Sequence, residues 1–217
     1  MTLPVCYSWY PRGKPLSVAY EASEGRRVNA IGAYFPDGPL AGHFCYESFA
    51  SLPKHARQAK RRTAEQVAQH YGLTIEQVGP IDAERFIAFV WKTAGRPTIS
   101  SSDWKRERPL MIVLDNYSVH KCQAVREMQP QWERADIYVV YLPSYSPELS
   151  AIEPVWNDIK HNEMTTRSYK SVLELKQAVD DALARKTIRT KIHKTTRKTS
   201  RPVDHQNKTT DLEQRAT

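Results

Sequence analysis

Two acidic residues stand where the sequence predicts the ends of buried elements. Asp115 directly follows Met111–Leu114, a short apolar run that is typical of a buried strand. Glu153 directly precedes Pro154, a residue that favours the first turn of a helix. The separation of 38 positions leaves room for one helix and one strand between the two acids. A strand end and a helix start could therefore bring both carboxylates to one edge of a sheet.

Two carboxylates at a sheet edge suit the cleavage of phosphodiester bonds. The attacking oxygen has to become nucleophilic and the leaving oxygen has to be stabilised, and two divalent ions that bridge the phosphate do both. Mg²⁺ takes few protein ligands and prefers carboxylate oxygens. Spacing alone leaves an ordinary interpretation open, because aspartates end many strands and acids cap many helices.

The first half of the chain predicts a β-hairpin followed by a basic helical insertion. Residues 26–34 and 40–46 are strand-like and flank the turn signal Pro36-Asp37-Gly38. The insertion covers about residues 53–80 and contains a helix that ends at Gly72. A faint helix-turn-helix pattern also runs through it, but Gly79-Pro80 would end the second helix after about one turn.

The second half of the chain alternates helices and strands. The expected elements are a helix from Asp82 to about Ala94, a strand at 110–115, a helix near 120–128, a strand at 137–142, a helix from about Glu153 and an amphipathic helix at about 171–185. With the hairpin, this order predicts an α/β domain in which helices flank a mixed central sheet.

Positive charge is concentrated at the C-terminus. Residues 185–217 carry +7 of the formal net charge of +8 and have few large apolar side chains. We therefore expect a disordered basic tail at 186–217. Such an arm can bind the phosphate backbone of DNA without sequence preference, and a merely solvated tail is the alternative. The residues proposed for this contact are Arg189, Lys191, Lys194, Arg197 and Lys198.

Secretion and membrane insertion are not indicated. No apolar run approaches the roughly 18 residues that a membrane-spanning helix requires. The N-terminus lacks the charged start and apolar region of a signal peptide. Cys6, Cys45 and Cys122 are widely spaced, which favours free thiols in a reducing compartment. The sequence thus favours a cytoplasmic protein without a membrane partner.

Two motifs resemble the catalytic domain of mariner-like transposases, and more narrowly the bacterial insertion-sequence branch with an Asp-Asp-Glu triad. They are Leu114-Asp-Asn-Tyr-Ser-Val-His120 and Leu142-Pro-Ser-Tyr-Ser-Pro-Glu-Leu-Ser-Ala-Ile-Glu-Pro-Val-Trp156. Trp9-Tyr-Pro-Arg-Gly13 and Arg27-Val-Asn-Ala-Ile-Gly-Ala33 match the usual order of the family. The resemblance covers about residues 7–185.

The resemblance implies a ribonuclease-H-like fold and metal-dependent DNA strand cleavage and strand transfer. Asp115 would be the second acid of the triad and Glu153 the third, and both would bind Mg²⁺ or Mn²⁺ in a two-metal site. The residues that match the surrounding motifs and would shape the site are Asn116, His120, Tyr145, Ser146 and Pro147. Trp156 is expected to pack in the core.

The implied partner is DNA, as transposon ends and target. The chain would act near the bacterial nucleoid, as a homodimer or paired with a full-length transposase.

The first acid of the triad has no counterpart in this sequence. In the family it lies on a strand shortly before the Trp-x-Pro-Arg-Gly segment, and none of the eight residues before Trp9 is acidic. We therefore expect that this acid and its strand lie before Met1 and that the domain at 1–185 is incomplete. We likewise expect the N-terminal DNA-binding helices of the family to be absent from this chain.

An incomplete triad changes the expected activity. With two carboxylates instead of three, the chain alone is expected to be inactive in strand cleavage and poorly soluble or unstable. One alternative is a non-catalytic remnant that binds DNA or a full-length transposase. A different ribonuclease-H-like nuclease is a third possibility, which the motif at 142–156 supports less well.

Overall fold

The computed structural model describes residues 27–51, 64–98, 103–144, 146–164 and 169–199, with the backbone alone for Pro147 and residues 191–199. These residues form strands β1 (Val28–Tyr34), β2 (Phe44–Ala50), β3 (Leu110–Leu114) and β4 (Ile137–Tyr141). They also form helices α1 (Ala64–Tyr71), α2 (Ala83–Thr93), α3 (Gln123–Arg134), α4 (Glu153–Asp158) and α5 (Val172–Thr199). The predicted α/β class is confirmed. Within these ranges no helix combines the length and the apolar character needed to span a bilayer.

The predicted hairpin is confirmed, but its second strand is displaced along the chain. β1 and β2 pair antiparallel, starting with Val28 opposite Ala50. The second strand was expected at 40–46, whereas β2 is found four residues later at both ends. The connection between the strands is longer because it forms a hydrogen-bonded loop, in which the amide of Gly42 donates to the carbonyl of Phe35 at 2.7 Å.

Strands β3 and β4 form a parallel pair, as expected for strands joined by a helix. Leu110 lies opposite Ile137 and Leu114 opposite Tyr141. A single central sheet was expected, but in the described residues the hairpin and the β3–β4 pair are two separate two-stranded sheets. Ile31 of β1 still packs against the core cluster that contains Leu114 and Ile137, so both sheets contact one core.

The β3–β4 pair has one packed face and one exposed apolar face. Leu114 and Ile137 point into the core and are 8% and 0% exposed. The opposite face carries Met111, Val113, Tyr138 and Val140, which are 42–66% exposed. Parallel sheets usually have both faces covered. Among the described residues nothing covers this second face.

Helices α2 and α3 cover the packed face. Helix α2 starts at its predicted cap, where the carboxylate of Asp82 accepts from the amide of Arg85 at 3.0 Å. The helix expected near 120–128 is instead α3, which runs past Pro130. It does so because Trp132, which lies beyond the proline, is 0% exposed. Burying a large apolar side chain stabilises the fold by about 1.5–3 kcal/mol, which is comparable with the roughly 3 kcal/mol that an internal proline costs.

The segment after α1 does not form a helix-turn-helix. Helix α1 ends at Gly72, whose φ is +62°, as the sequence predicts. The second element is a single 3₁₀ turn at Ile75–Gln77, and Val78 then bridges to Ala50 of β2. The helix-turn-helix alternative is therefore wrong. The basic cluster of the expected insertion, within 52–63, lies outside the described residues.

Helix α5 continues well past its expected end near residue 185. A disordered tail was expected from residue 186 onwards, whereas the backbone of residues 186–199 is helical in the structure. The hydroxyls of Thr187 and Thr190 donate to backbone carbonyls one turn earlier, at 3.0 and 3.1 Å. Thr190 is also only 9% exposed, so this part of the helix is packed. The rest of the expected tail, residues 200–217, lies outside the described residues.

Candidate active site

Asp115 lies where the sequence predicts it, directly after β3. Its side chain is 67% exposed. Its Oδ1 atom accepts a hydrogen bond from the amide of Tyr117 at 3.0 Å and lies 2.8 Å from Nδ1 of His120. Both contacts involve Oδ1, so Oδ2 has no partner among the described residues. The carboxylate is thus oriented on one side and accessible on the other.

His120 is fixed by the core beneath it. It lies in the 3₁₀ turn Ser118–Lys121, with its side chain 18% exposed. Its ring packs on the ring of Phe86, with centroids 4.6 Å apart. The hydroxyl of Tyr141 donates to the carbonyl of His120 at 2.7 Å. The sequence interpretation missed Tyr141, for which the only signal is an aromatic residue with a polar tip at the end of an apolar strand.

Asn116 connects the ends of the two parallel strands. Its Nδ2 donates to the carbonyl of Leu142, directly after β4, at 2.9 Å. The amide of Leu142 in turn donates to the carbonyl of Leu114 at 2.8 Å. The segment that leads towards Glu153 therefore leaves the sheet at the edge where Asp115 lies.

The loop between β4 and α4 holds the remaining candidate residues. The carbonyl of Ser146 accepts from the amide of Leu149 at 3.2 Å, which closes the 3₁₀ turn Pro147–Leu149. Ser146 Oγ also lies 3.5 Å from the carbonyl of Ser144. Tyr145 lies outside the described residues. Ser146 and Pro147 thus shape the backbone of the loop.

Glu153 is the first residue of α4, with Pro154 in the first turn. It is half-buried, and its carboxylate has no ion pair within the described ranges. Helix α4 is anchored through Val155, which is 5% exposed, and through Trp156, whose ring meets Phe44 edge-on at 5.5 Å. This supports the expectation that Trp156 packs in the core.

The donor set of the two acids matches a hard divalent cation. Mg²⁺ is usually held by one or two carboxylates, with water and substrate phosphates filling the other positions. Among the described residues, Oδ2 of Asp115 and the carboxylate of Glu153 have no ion-pair partner, so both are available as donors of this kind. In the part of the chain that the structure describes, no three His, Cys, Asp or Glu side chains come together as a complete metal cluster.

The candidate DNA-binding residues lie on the far end of α5. Nη1 of Arg189 is 2.7 Å from Oε1 of Glu163, so this guanidinium is engaged within the fold. The backbone at Lys191, Lys194, Arg197 and Lys198 is helical.

An α/β core that presents an acid after a strand and a second acid at a helix start is compatible with a metal-dependent nuclease. A family model described as DDE superfamily endonuclease matches residues 68–176, just over half of the 217 residues. The chain belongs to this family. The match includes both candidate acids. No curated protein matches the chain.

Membership defines the class of activity. The expected DDE transposase-type domain is confirmed, and the family implies DNA as the class of substrate. Endonucleases of this family generally use divalent metals. The narrower mariner-like and insertion-sequence assignment stays a prediction.

Proposed function

We propose that the chain is a transposase catalytic domain of the mariner-like, bacterial insertion-sequence branch, built for DNA strand cleavage and strand transfer. The observation that carries this proposal is the placement of Asp115. Its exposed carboxylate lies at the end of β3, and Asn116 ties this edge to the segment that leads to Glu153. The family match and the two transposase-like motifs support the same assignment.

Asp115 and Glu153 would hold Mg²⁺ or Mn²⁺ in this site. A bound divalent metal activates the attacking oxygen and stabilises the leaving oxygen. His120 and the amide of Tyr117 engage Oδ1 of Asp115 and thereby direct Oδ2 outwards. Asn116, Ser146 and Pro147 hold the backbone on either side, and Tyr145 belongs to the same loop.

We further propose that these 217 residues alone do not cleave DNA. Only Asp115 and Glu153 are assigned to the triad, and two carboxylates position a metal less firmly than three. The second candidate role is therefore a non-catalytic chain that binds DNA or a full-length transposase. Of these two partners, the basic end of α5 favours DNA.

Titration with Mn²⁺ tests the metal site without requiring activity. The electron paramagnetic resonance signal of the free ion reports how much Mn²⁺ is bound. We expect Asp115→Asn and Glu153→Gln each to weaken Mn²⁺ binding by about tenfold or more. Glu47→Gln is the matched control, because Glu47 pairs with Lys92 on the surface of β2. Unchanged affinity in both site variants would remove the proposed site.

Nicking of a supercoiled plasmid in the presence of Mg²⁺ tests the activity of the chain alone. The expected result is no nicking by the purified protein above that of Asp115→Ala. Nicking that Asp115→Ala abolishes would overturn the proposed inactivity and would still support the class of enzyme.

A further inference from the structure

Glu163 is a buried carboxylate held by two arginines of α5. It ends the π-helical turn Ile159–Glu163 that continues α4, and its side chain is only 2% exposed. Nε of Arg185 lies 3.1 Å from one carboxylate oxygen, and Nη1 of Arg189 lies 2.7 Å from the other. Arg185 also donates to the backbone carbonyl of Glu163 at 2.7 Å. A buried charge of this kind depends on its partners, because desolvation makes the unpaired state costly.

A second ion pair joins the same two helices. Nζ of Lys186 lies 2.5 Å from Oδ2 of Asp158, and the Lys186 side chain is 15% exposed. Asn162 donates to the other oxygen of Asp158 at 2.5 Å. Hydrogen bonds from Lys186 and Asn162 hold the pKa of Asp158 below its ordinary value. Three cations within five residues of α5 are thus fixed to acids that follow Glu153 on one helix.

The clamp lies just before a run of basic residues. Positions 191, 194 and 198 are lysines, and spacings of three and four place them along one face of a helix. Like charges at such spacings oppose helix formation. The ion pairs at Asp158 and Glu163 therefore give a physical reason why the helix continues to Thr199. Lysines at successive positions along one helical face match a polyanion with regularly spaced charges.

We propose that Asp158 and Glu163 clamp the basic end of α5 into a rigid arm that binds the phosphate backbone of DNA, at a fixed orientation to the helix that begins with Glu153. Glu163 is a positioning residue in this arrangement. The choice of DNA as partner rests on the proposed function. The clamp rests on the contacts alone.

The first test measures DNA affinity of the full chain by fluorescence anisotropy with a short duplex of arbitrary sequence. Glu163→Gln and the control Glu47→Gln each remove one negative charge, which by electrostatics alone strengthens DNA binding. We expect Glu163→Gln instead to bind about fivefold more weakly and with a shallower dependence on salt. The control should bind as tightly as the unmodified chain or slightly more tightly. Equal affinity of the two variants would overturn the proposal.

A charge exchange covers the case in which Glu163→Gln fails to fold. Asp158→Lys and Lys186→Asp each break the second ion pair, whereas the double variant restores it with the net charge unchanged. We expect amide hydrogen exchange at 186–199 to be about tenfold faster in each single variant and restored in the double. DNA affinity should be restored with it. A double variant that recovers neither property would contradict the clamp.

Failure of this inference and failure of the proposed function are separable. If the unmodified chain does not bind DNA, the arm is overturned, while Mn²⁺ binding at Asp115 still decides the catalytic site. If Mn²⁺ binding fails but the clamp variants behave as expected, the arm stands and the metal site does not.

Discussion

Nδ1 of His120 lies 2.8 Å from Oδ1 of Asp115, and the same imidazole packs on the ring of Phe86. This contact links an exposed acid to the hydrophobic core. The direction of the Asp115 carboxylate thus depends in part on a side chain that packs on the core beneath the site. Substitutions beneath the site should therefore change metal binding without removing a ligand.

Replacing His120 with alanine should weaken Mn²⁺ binding by about tenfold, because the carboxylate loses the partner that orients it. Titration followed by electron paramagnetic resonance gives the affinity, and circular dichroism shows whether the fold is kept. His70→Ala is the control, since His70 lies on α1 and contacts the ring of Tyr71. Equal affinities of the two variants would show that His120 does not position Asp115.

Tyr141→Phe removes the hydroxyl that donates to the carbonyl of His120. We expect a loss of about 1 kcal/mol in the free energy of unfolding, together with weaker Mn²⁺ binding. Tyr138→Phe is matched to it, since its hydroxyl makes only a 3.3 Å contact with Asp136 at the opposite end of β4. Urea denaturation measures the first effect. A stability loss without a change in metal binding would limit Tyr141 to a structural role.

Gly32→Ala should displace the helix that carries Glu153. A Cβ atom at this position would lie 2.8 Å from the ring of Trp156 and 2.9 Å from the ring of Phe44, both closer than real Cβ contacts allow. Overpacking of this kind costs about 1–3 kcal/mol of stability. Adding Trp156→Phe supplies space, so the double variant should lose less stability than the two single effects added together. Strict additivity in denaturation experiments would mean that this contact does not control α4.

Low pH should weaken the packing of residues 186–199 at the end of α5. The pKa of Asp158 is lowered from its ordinary value of 3.8 by hydrogen bonds from Lys186 and Asn162. A depressed pKa contributes stability that is present above the unfolded value and is lost as the pH falls through the folded value. Amide protection at 186–199 should therefore hold from neutral pH down to about pH 4 and decline below it. The decline should be smaller in Asp158→Asn, and identical profiles would contradict the assignment.

Local rules predicted the elements that carry the two acids. The apolar run before Asp115 and the proline after Glu153 are local signals that act over a few residues. Strand β3 and helix α4 both form where these signals predict them. The cap at Asp82 and the stop at Gly72 belong to the same kind of signal. The spacing of the two acids alone did not distinguish a metal site from ordinary strand and helix ends. The family motifs predicted a metal site.

The misplaced elements depend on contacts that are distant in sequence. Helix α5 extends past residue 185 because its basic side chains form ion pairs with Asp158 and Glu163. The periodicity of α5 alone does not predict those partners. Helix α3 passes Pro130 because Trp132 is buried by other elements. Tyr141 was missed for the same reason, since its hydrogen-bond partner lies in a turn formed 21 residues earlier.

Cleavage of the protein backbone by bound Fe²⁺ is the most direct test of whether Asp115 and Glu153 share one metal site. Fe²⁺ takes the place of Mg²⁺, and in the presence of ascorbate and peroxide it cleaves the chain next to its ligands. We expect fragments that end near Asp115 and near Glu153, both suppressed by excess Mg²⁺ and both lost in Asp115→Asn. Cleavage near only one of the two acids, or cleavage that persists in Asp115→Asn, would contradict a shared metal site.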